Sequence, residues 1–237
     1  MRQIILAINA LLKFKAYTLI NVLGLACSLA CVLTVARYIH QENTVNQCFP
    51  EYKRICLIKT STSSGENFLG GYRSGLEKNP DVEQFTVIYQ ISDMPALFGE
   101  QEIAANAFSV DSTFFKIFPY RVIAGSGRIV RSRDVVITRS FWKKKLGGKN
   151  AIGATFKNTK GNKFTIIGVV DDPDTKTSWM PDIFMSDELD EFLFFDPIYA
   201  MLMAPDTDIA LLNKKYSKEH PRSKWSTYET VRYQYLP

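Results

Sequence analysis

Residues 16–36 read AYTLINVLGLACSLACVLTVA, an uncharged run held between Lys15 and Arg37. As an α-helix this run rises about 31 Å, close to the roughly 30 Å thickness of bilayer hydrocarbon. Tyr17 and Tyr38 stand at its two edges, where aromatic anchors sit on spanning helices. A soluble core helix of this length would carry charge on its outer face. A cleaved export signal has a shorter apolar run and a small-x-small site before a polar mature start, and neither is present. The triplet LAC occurs twice, ending at Cys27 and Cys31, but the positions three before each cysteine hold Gly24 and Ser28 instead of a lipobox leucine. Cys31 is then followed by VLTVA, where a lipid-anchored chain would have a polar tether. The run predicts a transmembrane helix over residues 16–38, with membrane lipid as its first partner.

The charge of the 237-residue chain sharpens this. The net charge is +5, and Arg2, Lys13, Lys15 and Arg37 fall in residues 1–40, which hold no acid. The body is therefore close to neutral, which argues against nucleic acid as a partner, since that needs a basic patch on the domain itself. Lys143–Lys145 are the remaining basic run, best placed as the last turn of a helix against its dipole. Basic residues precede the span and HQEN follows it, so the N-terminus is expected in the cytoplasm and the body outside it. Ile4, Ile5, Ile8, Leu11 and Leu12 recur at helical spacing. They predict an amphipathic cytoplasmic helix over 1–15.

One face of the span is small and polar. Asn21, Gly24, Cys27, Ser28, Cys31 and Thr34 follow helical spacing, and such residues let a second helix approach closely in lipid. The same stripe also suits a lone anchor with incidental small residues. The next apolar run, FLFFDPIYAML, is broken by Asp196 and Pro197. A partner helix is therefore expected from another chain or from sequence outside this one.

Residues 41–237 read as one α+β domain. Strands are predicted at RICLIKT, FTVIYQI, IAANAFSV, DVVIT, PDIFMS, AMLMAP and the tail STYETVRYQYL. Helices are predicted at GYRSGLEKNPDVEQF, ending near Asn79–Pro80; at DSTFFKIF, capped by Asp111 or Ser112; at RSFWKKKLGG, ending on a glycine pair; and at DTDIALLNKKYSKEH, capped by Asp206 or Thr207. ATFKNTKGNKFTIIGVVDD reads as a hairpin turning at KGN. The class is mixed α+β, with βαβ-like units in the first half and a hairpin-bearing subdomain near the middle.

Most catalytic chemistry is excluded by inspection. No GxSxG surrounds a serine, and the two histidines, His40 and His220, lie far from cysteines at zinc spacing. LGGKN lacks the first glycine and the Ser/Thr of a phosphate loop, so the chain is expected not to hydrolyse ATP. AGSGR reads as a turn, and DDPDT at 171–175 as a polar turn, without the glycine and glutamate of a calcium loop. No catalytic residue, cofactor or metal site is assigned, and the protein is expected not to be an enzyme. Cys48 and Cys56 form a disulfide in one reading, closing a short loop in an oxidising compartment. A buried thiol at Cys56, inside an apolar strand, is the other.

The order of these features resembles the N-terminal part of MacB-like permeases of ABC transporters, within the FtsX-like group. The runs that carry it are NALLKFKAYTLINVLGLACSLAC, FFKIFPYRVIAG, VVITRSFWKKKLGGKNAIGATFK and FTIIGVVDDPDTKTSWMPDIFMS. The resemblance implies a bacterial inner-membrane permease subunit whose first span is followed by a periplasmic core domain. It implies as partners a separate ABC ATPase subunit, a second permease in a homo- or heterodimer, and a periplasmic adaptor protein. ATP hydrolysed by the partner would then drive export or mechanical signalling. In that family three more spans follow the domain, whereas this chain stops at YQYLP. The expectation is a fragment of a longer permease or a single-span remnant, forming no transport path by itself.

Overall fold

The computed structural model describes residues 15–62, 65–68, 79–148, 150–186, 197–219 and 228–235. The chain divides into two compact units, Met1–Val45 and Asn46–Pro237. In the first, helix α1 runs from Lys15 to Asn43, and none of its residues is buried. Ser28 and Thr34 donate their hydroxyls to the carbonyls of Gly24 and Ala30, each at 2.8 Å. Those bonds satisfy hydroxyls that would otherwise be bare on an apolar helix. The expected amphipathic helix, apart from Lys15, and the helix expected from GYRSG lie outside the described residues.

Among the described residues the second unit is built on an eleven-stranded sheet. In chain order its elements are β1 (Ile55–Thr62), β2 (Gly65–Phe68), β3 (Val82–Phe98), β4 (Gln101–Val110), α2 (Phe114–Ile117), β5 (Val122–Gly125), β6 (Asp134–Thr138), α3 (Arg139–Lys145), β7 (Thr155–Lys157), β8 (Lys163–Val170), β9 (Ile183–Ser186), β10 (Ile198–Met203), α4 (Ile209–Glu219) and β11 (Tyr228–Tyr235). The main path across the sheet is β11-β1-β10-β3-β4-β9-β6-β8-β5, with β2 beside β1 and β7 beside β3 and β8. Most neighbours are antiparallel; β4–β9 and β6–β8 are the parallel pairs.

Period-two side chains explain how one sheet holds separate cores. Ile55, Leu57, Phe108, Val136, Phe184 and Ala200 face one cluster, with Phe114 and Phe118 of the α2 segment. On the opposite face, Val135, Ile137, Ile183 and Met185 join Phe141, Phe156 and Phe164 in a second cluster. Cys56, Ile58, Val87, Tyr199 and Met201 form a third, with Leu212 of α4.

Asp111 accepts from Phe114 N and anchors α2. Thr138 caps α3 through Phe141 N, and Gly147 and Gly148 end it in left-handed conformation. The hairpin β7–β8 turns through Gly161 at φ 80°. The cap of α4 is Asp208, whose Oδ1 accepts from Ala210 N and Leu211 N, instead of Asp206 or Thr207. Asp206 takes φ 62° and Thr207 bonds back to Ala204, so both are occupied in the preceding turn. The β6–α3–β8 crossover lies mid-chain, whereas β1, β3 and β10 in the first half's part of the sheet pair antiparallel. β3 outruns its predicted strand by continuing through Pro95. Beyond Ile88 one of its edges pairs, among the described residues, only at Leu97, and a half-open edge tolerates proline.

Candidate functional site

On α1 the six small or polar residues fall within an arc of about 140° at 100° per residue: Asn21, Gly24, Cys27, Ser28, Cys31 and Thr34. A Cβ added at Gly24 would meet nothing within 4 Å, so the groove over Gly24 is open to an approaching backbone. Outside that arc stand Leu19, Leu23, Leu25, Leu29 and Leu33, all exposed. α1 is the single helix among the described residues that is long and apolar enough to cross a membrane.

Asn46 opens the second unit and is fully buried at φ 64°. Its N–H donates to Lys176 O at 2.8 Å, and its Oδ1 accepts from Thr177 Oγ1 at 2.7 Å and Ser178 N at 3.1 Å. Asn is one of the few residues with a side chain that tolerates this left-handed backbone. Phe49, three residues on, packs edge-on against Phe118 and Tyr120 at 5.0 and 5.6 Å. The start of the domain is thus clasped to the loop after β8 and to the aromatic core.

That loop carries the acidic run DDPDT. Asp171 accepts a two-pronged bond from Arg139, at 2.9 and 3.0 Å, and a close bond from Arg121. The Arg121 guanidinium holds its carboxyl below the ordinary carboxylate range, with Arg139 adding to the effect. Asp172 accepts from Ser140 N and Ser140 Oγ at the start of α3, a favourable place for negative charge. The run expected to be a plain polar turn is therefore the tie between β8, α3 and Arg121.

A cleft of about 470 Å³ lies beside this tie, lined by Cys48, Phe49, Tyr120, Arg121 and the acidic run. Tyr120 donates its hydroxyl to Trp179 O, and burial pushes its pKa well above the ordinary phenol value. Burial likewise raises the Cys48 thiol, which makes it a poor nucleophile. No disulfide joins Cys48 to Cys56. Cys48 packs against the first cluster and Cys56 lies in the third, so the sheet stands between the two sulfurs. Among the described residues no three His, Cys, Asp or Glu side chains converge as metal ligands would.

The model of the MacB-like periplasmic core domain family matches residues 18–215 of the chain. The chain belongs to this family. Solved MacB-like domains share its fold. A domain of a protein described as a permease from Porphyromonas gingivalis is 18% identical, with TM-score 0.63, covering 80% of this chain and 93% of that one. The periplasmic region of MacB from Actinobacillus actinomycetemcomitans is 14% identical, with TM-score 0.60 and coverage of 80% and 91%. The extracellular domain of the ABC-type transporter YknZ from Gram-positive bacteria is 14% identical, with TM-score 0.55 and coverage of 77% and 100%. No curated protein matches the chain. Membership makes this chain a component of the ABC transporter permease type, with a membrane-anchoring helix and an extracytoplasmic MacB-like domain.

Proposed function

We propose that the chain is the non-catalytic first-span portion of an ABC permease that couples ATP hydrolysis by a separate subunit to export or mechanical signalling. The observation that carries this reading is the family match together with an exposed, apolar 29-residue helix at its start. In this reading residues 1–15 lie on the cytoplasmic leaflet, 16–38 span the inner membrane, and 41–237 form the periplasmic domain. The Asn21–Thr34 face packs against spans of the same permease assembly, a homo- or heterodimer. In this reading helix movement is passed along the chain to the domain that Asn46 opens. A periplasmic adaptor protein is the further partner that the family context suggests.

The test is affinity purification of the tagged full-length protein from native membranes in mild detergent. An ABC ATPase subunit is expected to co-purify, and Asn21→Leu with Gly24→Leu is expected to weaken recovery of partner spans. Interhelical contacts of this type contribute about 0.6–2 kcal/mol each, so partial loss is anticipated. Recovery without any ATPase would sink the transporter reading and leave a single-span periplasmic scaffold or sensor.

A further inference from the structure

We propose that a groove between α2 and residues 127–130 docks an acidic segment of a partner protein, one carrying at least one bulky apolar side chain. The groove has a volume of about 610 Å³, within the range of sites that enclose a ligand of several side chains' size. Its apolar surface comes from Phe115, Ile129 and Val130, the last 73% exposed. Lys116 and Arg128 stand on its opposite walls, and both are exposed. Among the described residues neither has an ion-pair partner.

Asp111 is the one acid among the described lining residues, and it is committed inward. Its Oδ1 accepts from Thr86 Oγ1 at 2.8 Å, Thr113 N at 2.9 Å and Phe114 N at 3.2 Å, while its Oδ2 accepts from Val87 N at 3.1 Å. It therefore offers little to a visiting cation and does not cancel the two basic walls. The field in the groove favours carboxylates, and the apolar walls favour a side chain between them.

Both walls are also fixed in advance. Asp111 holds α2 at its start, as above. On the other side Ser126 N donates to Ile167 O at 2.8 Å, and Ser126 Oγ exchanges bonds with Arg128 N and O at 3.1 Å. A Cβ on Gly127 would lie 2.3 Å from Val122 Cγ2, so the wall sits tight on its neighbour. A preformed groove binds without the ordering cost of a mobile one. The groove is built by the core domain alone, so the proposal stands apart from the coupling role of the helix.

The experiment uses the full chain in phosphatidylcholine nanodiscs and a fluorescein-labelled peptide, EDFEELFED, followed by anisotropy. Binding is expected, and Lys116→Glu with Arg128→Glu should weaken it at least about tenfold while leaving the melting temperature unchanged. Raised salt should weaken it too, because the cations are exposed. Equal binding by that double variant, or equal binding of the basic peptide KKFKKLFKK, overturns the proposal. Equal binding of EDSEESSED overturns its apolar half. Residues 187–196, DELDEFLFFD, follow the groove residue Ser186 in sequence and share the acidic and apolar chemistry of the peptide, so they are tested as the competing occupant. If Asp187→Asn, Glu188→Gln, Asp190→Asn and Glu191→Gln together raise peptide affinity tenfold, the seat belongs to that segment and not to a partner. Loss of binding to phosphatidylglycerol vesicles in the double variant, with no peptide binding by the wild type, would assign the groove to a membrane surface instead.

Discussion

The carboxamide oxygen of Asn46 serves two donors at once, and both lie more than a hundred residues away, at Thr177 and Ser178. Asn46→Ala leaves those donors unserved and forces alanine to φ 64°. It is expected to cost about 1–3 kcal/mol in urea unfolding, with Asn46→Asp recovering part of that because a carboxylate still accepts both bonds. Asp171 makes a pH prediction. Its carboxyl is held below its ordinary value, so the stabilisation is complete above the unfolded carboxylate range, near pH 4. It is then lost as pH falls through the lower folded value. Asp171→Asn is expected to melt earlier than the wild type at pH 7, and the gap should narrow on acidification below about pH 4. Neither residue is legible in the sequence. DDPDT looks like any polar turn, and the arginines that give it a role stand 50 and 32 positions away.

Elements were far more legible than such contacts, because their signals are local. The Thr138 cap, the glycine pair after α3, the KGN turn and the alternation in DVVIT each decide backbone geometry within a few residues. Local signals fail where pairing decides. The continuation of β3 through Pro95 depends on β4 holding one edge, and the parallel β4–β9 pair joins strands with no common signature. Close backbone packing is another feature hidden from sequence: a Cβ on Gly168 of β8 would lie 1.7 Å from Ser126 O. Gly168→Ala is therefore expected to destabilise by more than about 2 kcal/mol, read as a lowered denaturant midpoint. Gly161→Ala meets no atom within 4 Å and carries only the cost of its positive φ, about 1 kcal/mol.

At the scale of the molecule the division at Val45 and Asn46 makes a simple prediction. Residues 46–237 expressed alone are expected to be soluble and cooperatively folded, since the three apolar clusters lie wholly within them. Full-length protein should remain with membranes after an alkaline wash. Sedimentation and a single unfolding transition would check this. The position of β1 carries a further consequence, for synthesis. β1 is made early, yet along Ile55–Ile58 its long-term neighbours are β10 and β11, near the other end of the domain. At about 5–20 residues per second, some 150 residues separating Ile55 from Leu202 take roughly 7–30 s to appear. Through that interval Ile55, Cys56, Leu57 and Ile58, all buried at the end, wait without their flanking strands. A newborn chain in this state presents a sticky edge, and holding chaperones in its compartment would find their first foothold there.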